Sequence, residues 1–476
     1  MDVVGKVGAS VGLGFTLIFN AFPSLPFLPL GRTTPALLAA AWMVATGLTG
    51  AEEAYRDIDY NTLAFLFGMM ALKCLLAKHK FAIYLRRLLL WGRPSWRALL
   101  VRVGCLSAVL APLITNDATC VFLTPIVEEI AISFKYPMLP LMLAICTCAN
   151  IGSAATITGN PQNVLIGSYG NLSYWKFVVA VGPAALAGTV VNVALLWLYG
   201  YDQIIGHRKR NSIDYDDYDD SDDEKQGVSE STWLKEEAQG NQTNQMQHVE
   251  QSEYYSDTDV DEAFEDRVGA IGGRGRLGIA LSFSLVVMMI LFLLGCNVGW
   301  STAGVALVAM AIEGIVTQTS PSWVFKEVDW NLIGWFAGTF IVMVTFGKTE
   351  ITAQLWSGFI GADADFTAIG PLLKLTVAVL ILSNIVSNVP LILLMAPDIL
   401  AMSDPHEQEY VWVVVAWVST VAGNLTLLGS AANIIVAELN TTRHLTFLQY
   451  LKFGFPTTLL VVALGLVILQ STSAVL

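Results

Sequence analysis

Histidine is almost missing from this chain: His79, His207, His248, His406 and His444 are all it has among 476 residues. With no His-Glu-x-x-His string and no pair of catalytic aspartates, the sequence offers neither a metal centre nor an acid–base dyad, and an enzyme is not expected. The six cysteines, Cys74, Cys105, Cys120, Cys146, Cys148 and Cys296, lie in or beside apolar runs without a Cys-x-x-Cys pair, so they imply no disulfide framework. Charge is scarce as well, at 14% of residues, and nineteen of the 39 acidic side chains crowd into residues 214–266 beside two basic ones. Outside that segment the balance is mildly basic, so the formal net charge of -13 belongs to one stretch, and no basic surface for nucleic acid exists. Neither a cofactor nor a metal is called for.

What the chain has instead is apolar sequence, 54% of residues with a mean hydropathy of +0.59. Many runs approach the ~20 residues that cross a bilayer. The fold class is therefore an all-α polytopic membrane protein with the lipid bilayer as its main partner. Spans are expected near 7–29, 34–50, 62–77 and 174–200, with a hairpin at 98–133 and a broken helix at 137–170 between the last two. The order then repeats: spans near 277–296, 300–316, 331–347 and 446–470, a hairpin at 368–402 and a broken helix at 410–438. Residues 1–206 and 277–476 thus read as two repeats of five transmembrane helices plus one re-entrant hairpin each. Five crossings is an odd number, so the repeats are expected to be inverted, with the broken helices at the midplane. The run through Pro23 and Pro26 is read as a retained first span, not a cleaved signal.

Residues 207–276 are expected to be an acidic, disordered connector, because Asp214 to Asp220 and the Gln, Asn and Ser stretches after them supply too little apolar surface to offset chain entropy. Basic residues cluster between the third span and the first hairpin and flank the connector, which places those sides, and the connector, in the cytoplasm, with both termini outside. Residues 80–96 read as a basic interfacial helix carrying Trp91 and Trp96. Asp59 and Asp329, just ahead of their helices, read as N-caps.

The chemistry-bearing residues are duplicated. Thr115-Asn116 with Asn150, Gly152, Ser153, Gly159, Asn160 and Asn163 in the first half has its partner in Ser387-Asn388 with Asn424, Thr426, Gly429, Ser430 and Asn433 in the second, with Asn424 standing for Asn150. Amides, hydroxyls and glycines inside apolar sequence are poor choices for a lipid-facing helix, whose freed backbone groups would find no water. At the ends of half-helices the same residues form a cup of unpaired backbone groups and amide side chains, and these sixteen positions with Asp117 included are the candidate substrate site. Asp117 is the carboxylate at that depth, where Val389 stands in the second half. Burial disfavours the charged form of any carboxylate, which makes Asp117 the candidate proton-coupling residue, the alternatives being a hairpin cap or a structural hydrogen bond. Cys120, Cys146 and Cys148 near the site read as small apolar filler, or alternatively as soft ligands for a metalloid.

At these residues, above all Asn150-Ile151-Gly152-Ser153 running to Gly159-Asn160-Pro161-Gln162-Asn163, the chain resembles the ion transporter superfamily of arsenite permeases, citrate-transporter-like proteins, sodium/proton antiporters and divalent anion symporters. Within it the likeness is to plant-type low-silicon efflux transporters. The resemblance implies a scaffold and a transport subdomain, substrate held between the two hairpin tips, and proton-driven export of silicic acid, arsenite or germanic acid. A homodimer in the plasma membrane is also implied. Sodium-coupled members carry Ser-Asn-Thr at both tips, whereas this chain has Thr-Asn-Asp and Ser-Asn-Val, which argues against sodium coupling. An arsenite-specific exporter, a sodium/proton antiporter and an anion symporter remain the alternative readings. The absence of Lys and Arg from the motifs suits a neutral oxyacid, which needs hydroxyl and amide hydrogen bonds and no guanidinium clamp.

Overall fold

The computed structural model describes the chain except residues 23–27, 93, 217–273, 362–363, 441–444 and 473–476, and side chains are not described for 201–216 and 274–276. The described residues are helical, with no β-strand among them. The first half runs α1 (Val3–Ala21), α2 (Thr33–Ala45), α3 (Ala51–Arg56), α4 (Tyr60–Lys78), α5 (Phe81–Leu90), α6 (Trp96–Ile114), α7 (Asn116–Ser133), α8 (Met138–Ser153), α9 (Pro161–Tyr169) and α10 (Tyr174–Asp216). The second runs α11 (Arg274–Leu293), α12 (Val298–Thr317), α13 (Trp323–Glu327), α14 (Trp330–Gly347), α15 (Ile351–Phe359), α16 (Ile369–Val386), α17 (Asn388–Leu400), α18 (Pro405–Ala422), α19 (Ala431–Leu439) and α20 (Phe447–Thr472). Among the described residues each half has ten α-helices, and in both the hairpin pair is followed by a helix broken at a 3-10 turn. Eight helices among the described residues are long and apolar enough to cross a membrane, and the protein is an integral membrane protein.

The ends of the helices follow from local chemistry. Asp59 accepts from the backbone N–H of Asn61 and Thr62, and Asp329 from that of Leu332, so both are N-caps. α1 stops at Ala21, with Phe22 as its C-cap, short of the expected 29. α10 continues to Asp216 instead of ending near 200, because an established helix gains one backbone bond for each residue added. Residues 207–216 of the expected connector are thus described as helix, and 217–273 lie outside the described residues.

Met1–Tyr201 and Arg276–Leu476 pack as one unit. Within it α4 packs on α12 and α2 on α14, cross-linking the halves. Gly68 lets α4 meet the backbone of Thr302 and Ala303, where a Cβ would approach to 2.7 Å. Glu313, fully buried on α12, is 2.6 Å from Lys78 Nζ at the end of α4, and Trp323 lies 4.3 Å beneath that ammonium. A buried carboxylate is thereby paired, as it must be. Glu128 is buried within α7.

Candidate functional site

Each hairpin turns on a single residue. Thr115 joins α6 to α7 with φ 76° and ψ 154°, and Ser387 joins α16 to α17 with φ 75° and ψ 157°. This region of backbone space is essentially glycine's, and holding another residue there costs on the order of 1–3 kcal/mol. The strain frees last-turn carbonyls, which have no intrahelical partner. Pro112 O accepts from the hydroxyls of Thr156 (3.0 Å) and Thr158 (3.2 Å), and Val386 O accepts from Asn20 Nδ2 of α1 (3.1 Å).

The broken helices repeat one another at a constant offset. α8 ends at Ser153, a 3-10 turn follows at Ile157–Gly159, and Asn160 precedes α9; α18 ends at Ala422, a 3-10 turn follows at Leu427–Gly429, and Ser430 precedes α19. Asn160 caps its half-helix by accepting from Asn163 N at 2.9 Å. Asn163 Nδ2 closes the first break onto the carbonyls of Thr156 (3.0 Å) and Ser153 (3.4 Å). Asn433 Nδ2 closes the second onto Thr426 (3.1 Å) and Gly423 (2.7 Å). Glycine is required at the first break: a Cβ on Gly159 would lie 1.9 Å from Ser153 O, and one on Gly152 would lie 2.3 Å from Ala108 O.

This register corrects the expected pairing. At the offset that matches the 3-10 turns, Thr420 stands for Asn150, and Asn424 falls where the first half has Ala154. The hydrogen bonds across the centre are reciprocal in that register. Ser430 Oγ donates to Asn150 Oδ1 (3.0 Å) and Asn150 Nδ2 to Asn433 Oδ1 (3.0 Å). In return Asn160 Nδ2 donates to Thr420 Oγ1 (3.3 Å) and Thr420 Oγ1 to Asn163 Oδ1 (3.3 Å). Such mutual exchange is what a local two-fold relation produces.

Asn150 is the hub. Its oxygen also accepts from Asn116 Nδ2 (2.9 Å), and its nitrogen also donates to Asn424 Oδ1 (2.8 Å), so all its hydrogen-bonding capacity is used. Asn424 Nδ2 continues to Thr147 O (3.0 Å), and Ser153 Oγ accepts from Asn160 Nδ2 (3.1 Å). The structure thus brings Asn116, Asn150, Ser153, Asn160, Asn163, Asn424, Ser430 and Asn433 into one buried amide and hydroxyl centre. Asn388 is not part of it, because its Oδ1 accepts from Ser383 Oγ within its own hairpin. Thr115 accepts from Ala118 N, and Gly429 lies against Asn384 Oδ1, which Thr426 Oγ1 also contacts at 2.9 Å.

Two features of the centre are left open. Asn116 Oδ1 is buried without a hydrogen-bond partner, a cost of about 1–3 kcal/mol that a hydroxyl donor would remove. Asp117, the next residue, has no hydrogen bond or ion pair among the described residues, and Lys73 of α4 is the cation whose field acts on it. Cys148 Sγ accepts from Asn192 Nδ2 at 3.2 Å and is therefore occupied away from the amide hub. No group of three His, Cys, Asp or Glu among the described residues is placed to hold a metal ion.

Sequence reasoning missed Asn20, Thr156, Thr158, Ser383, Asn384 and Thr420. Thr156 was legible as the counterpart of Thr426, and Thr420 only from the correct register. Asn20 carries no sequence signal, since its partner is a backbone carbonyl far along the chain.

Comparison with known proteins finds relatives along most of the chain. A family model described as citrate transporter matches residues 16–422. The silicon efflux transporter LSI3 of Oryza sativa subsp. japonica is 32% identical, over 97% of this chain and 96% of its own. A putative transporter, arsB, of Dictyostelium discoideum is 29% identical over 92% of this chain and 87% of its own. A 46 kDa membrane protein of Mycobacterium leprae is 23% identical over 92% of each.

Proposed function

The chain belongs to the citrate transporter family, and from that premise we propose that it is a secondary active exporter of small neutral oxyacids, silicic acid first and arsenite second, driven by proton antiport. The observation that carries the reading is the centre itself: a buried cluster of amides and hydroxyls with no Lys or Arg, and one carbonyl, Asn116 Oδ1, that lacks a donor. Silicic and arsenous acids are mostly neutral at pH 7 and present hydroxyl donors to such an acceptor. A citrate trianion would be stripped of water there with no Lys or Arg hydrogen-bonded to the cluster to receive it, a cost far above that of a neutral hydroxyl. The likeness to a silicon efflux transporter supports the same substrate class.

In this reading the two repeats are inverted, the hairpin tips meet the broken helices at the midplane, and the connector faces the cytoplasm in a homodimer at the plasma membrane. The reciprocal bonds between the broken helices support the inverted relation. Asp117 couples the cycle. A proton arriving from the outer side neutralises it and favours solute release, and loss of that proton to the inner side restores binding beside Asn116. Each state is selected by its differential affinity for proton and solute.

Purified protein in liposomes under an imposed pH gradient tests this with silicic acid, germanic acid and arsenite. Gradient-driven accumulation in wild type, lost in Asp117→Asn, is the expected result. Equilibration that ignores the gradient would make the protein a facilitator, and sodium-dependent proton movement without oxyacid flux would overturn the substrate class.

A further inference from the structure

Away from the amide hub, a cavity of about 420 Å3 opens between the end of α9 with its loop to α10 and the junction of α11 with α12. Its size falls within the roughly 300–1,000 Å3 of ordinary ligand pockets, and at about 30 Å3 per water it has room for a small hydrated solute. None of its lining residues is charged. The polar lining comes from Asn61, Ser168, Asn171, Ser173, Tyr174 and Asn297, with the exposed thiol of Cys296 among the lining residues. Asn61 Oδ1 accepts from Gly299 N (2.9 Å) and Asn297 Oδ1 from Trp300 N (3.0 Å), capping the start of α12. Both amides therefore keep their N–H2 groups as donors, with no partner among the described residues.

The inner wall of this cavity is the first broken helix, through Ile157 and Val164. There the Tyr174 hydroxyl, on a residue only 5% exposed, meets Thr158 Oγ1 at 3.3 Å. Thr158 in turn holds Pro112 O, three residues before the strained Thr115. A chain of two hydroxyls thus joins the cavity to the first hairpin tip. Asp59 is the carboxylate bonded to the lining, accepting from the backbone N–H of Asn61 at 2.9 Å. Asp57 is 3.7 Å from Lys348, and Lys176, one turn into α10, is paired with Glu409 at 3.4 Å.

We propose that this cavity is a vestibule for the transported solute, admitting neutral polyhydroxy acids and refusing oxyanions, with the Tyr174 hydroxyl dividing it from the hairpin tip. The inference rests on the reading of a neutral oxyacid as substrate and adds the outer mouth through which such a solute leaves and the means by which external oxyanions are kept out. An anion entering would lose hydration, find no cation and approach carboxylates, whereas a neutral acid keeps its hydrogen bonds by exchanging water for amide and hydroxyl groups.

The test uses wild-type protein and its own cysteines. Alkylation by N-ethylmaleimide is followed by peptide mapping, with the exposed Cys105 as internal control because it does not line the cavity. Germanic acid is expected to slow modification of Cys296 several-fold without changing Cys105, and arsenate is expected to leave both rates unchanged. Equal rates with and without germanic acid, or protection by arsenate, would overturn the proposal. Ser168→Trp, which fills the cavity, is expected to cut oxyacid flux at least tenfold while Cys105 reacts as in wild type; undiminished flux would count against the vestibule. Flux without Cys296 protection removes the vestibule and leaves the transport reading standing, and protection without flux does the reverse.

Discussion

At the first hairpin tip the chain reads Thr115-Asn116-Asp117 and at the second Ser387-Asn388-Val389, on backbones that agree within a few degrees in φ and ψ. The side chains then part company. Asn116 reaches out of its hairpin to Asn150 at 2.9 Å, whereas Asn388 is tied back to Ser383. Asp117 stands where the second tip carries the buried Val389. Duplicated backbone geometry builds the cup, and divergent side chains divide its labour: one tip holds the open acceptor and the titratable group, and the other closes on itself. A membrane interior makes the division durable, since each unpaired polar group there carries a cost and is kept only where it serves.

The largest effect is expected from a backbone contact that is far tighter at the first break than at the second. Gly159→Ala places a Cβ 1.9 Å from Ser153 O, while Gly429→Ala leaves its Cβ 2.9 Å from the counterpart carbonyl, Gly423 O, and 2.5 Å from the Asn384 amide oxygen. Thermal unfolding in detergent should register more than about 4 kcal/mol of destabilisation for the first, near the exceptional end for single substitutions, and about 1–2 for the second. Equal losses would mean that the breaks are interchangeable.

Coupling comes next. Asp117→Asn should abolish the dependence of flux on the pH gradient while leaving the protein folded, and Val389→Asp combined with Asp117→Asn should not restore it. Recovery of gradient-driven flux by that double variant would dissolve the asymmetry between the tips.

Within the amide centre, Asn150→Ala strands groups on Asn116, Asn424, Asn433 and Ser430, whereas Thr420→Val affects only Asn160 and Asn163. At about 1 kcal/mol for each hydrogen bond lost, the first should cost about 3–4 kcal/mol and the second about 1–2. Chemical denaturation of the two variants checks the ratio. The smallest effect should be a gain: Ser387→Gly relieves the left-handed backbone and is expected to stabilise by about 1 kcal/mol, with Thr115→Gly gaining less because the contact to Ala118 N is lost.

The site was legible in the sequence to the extent that helix breakers inside apolar runs have few explanations. Gly159-Asn160-Pro161 cannot continue a helix, and Asn160 is the cap that its position suggests. Asp59 and Asp329 were readable for the same local reason. The pairing of Asn150 with Asn424 looked persuasive because both are asparagines just ahead of a glycine-rich break. It was displaced because register is set by where the 3-10 turns fall, and the sequence between Asn424 and Gly429 is too short to repeat the first half from Asn150 onward. Asn20 and Tyr174, which support a tip or adjoin the outer cavity, are ordinary residues in ordinary helices until the fold brings α1 to Val386 and α10 to Thr158.

By itself the sequence determined the solvent this protein folds in, the order of its long apolar helices, the places where they break and the uncharged character of the residues at those breaks. Those properties are local, fixed by hydropathy, by proline and glycine geometry and by capping. Only the tertiary structure decided which amide meets which, that Asn150 is the hub, that Asn388 withdraws from it, and that a charge-free cavity adjoins the first break. Hydrogen bonds between residues far apart in the chain depend on the relative positions of whole helices, and packing across the two halves sets those positions.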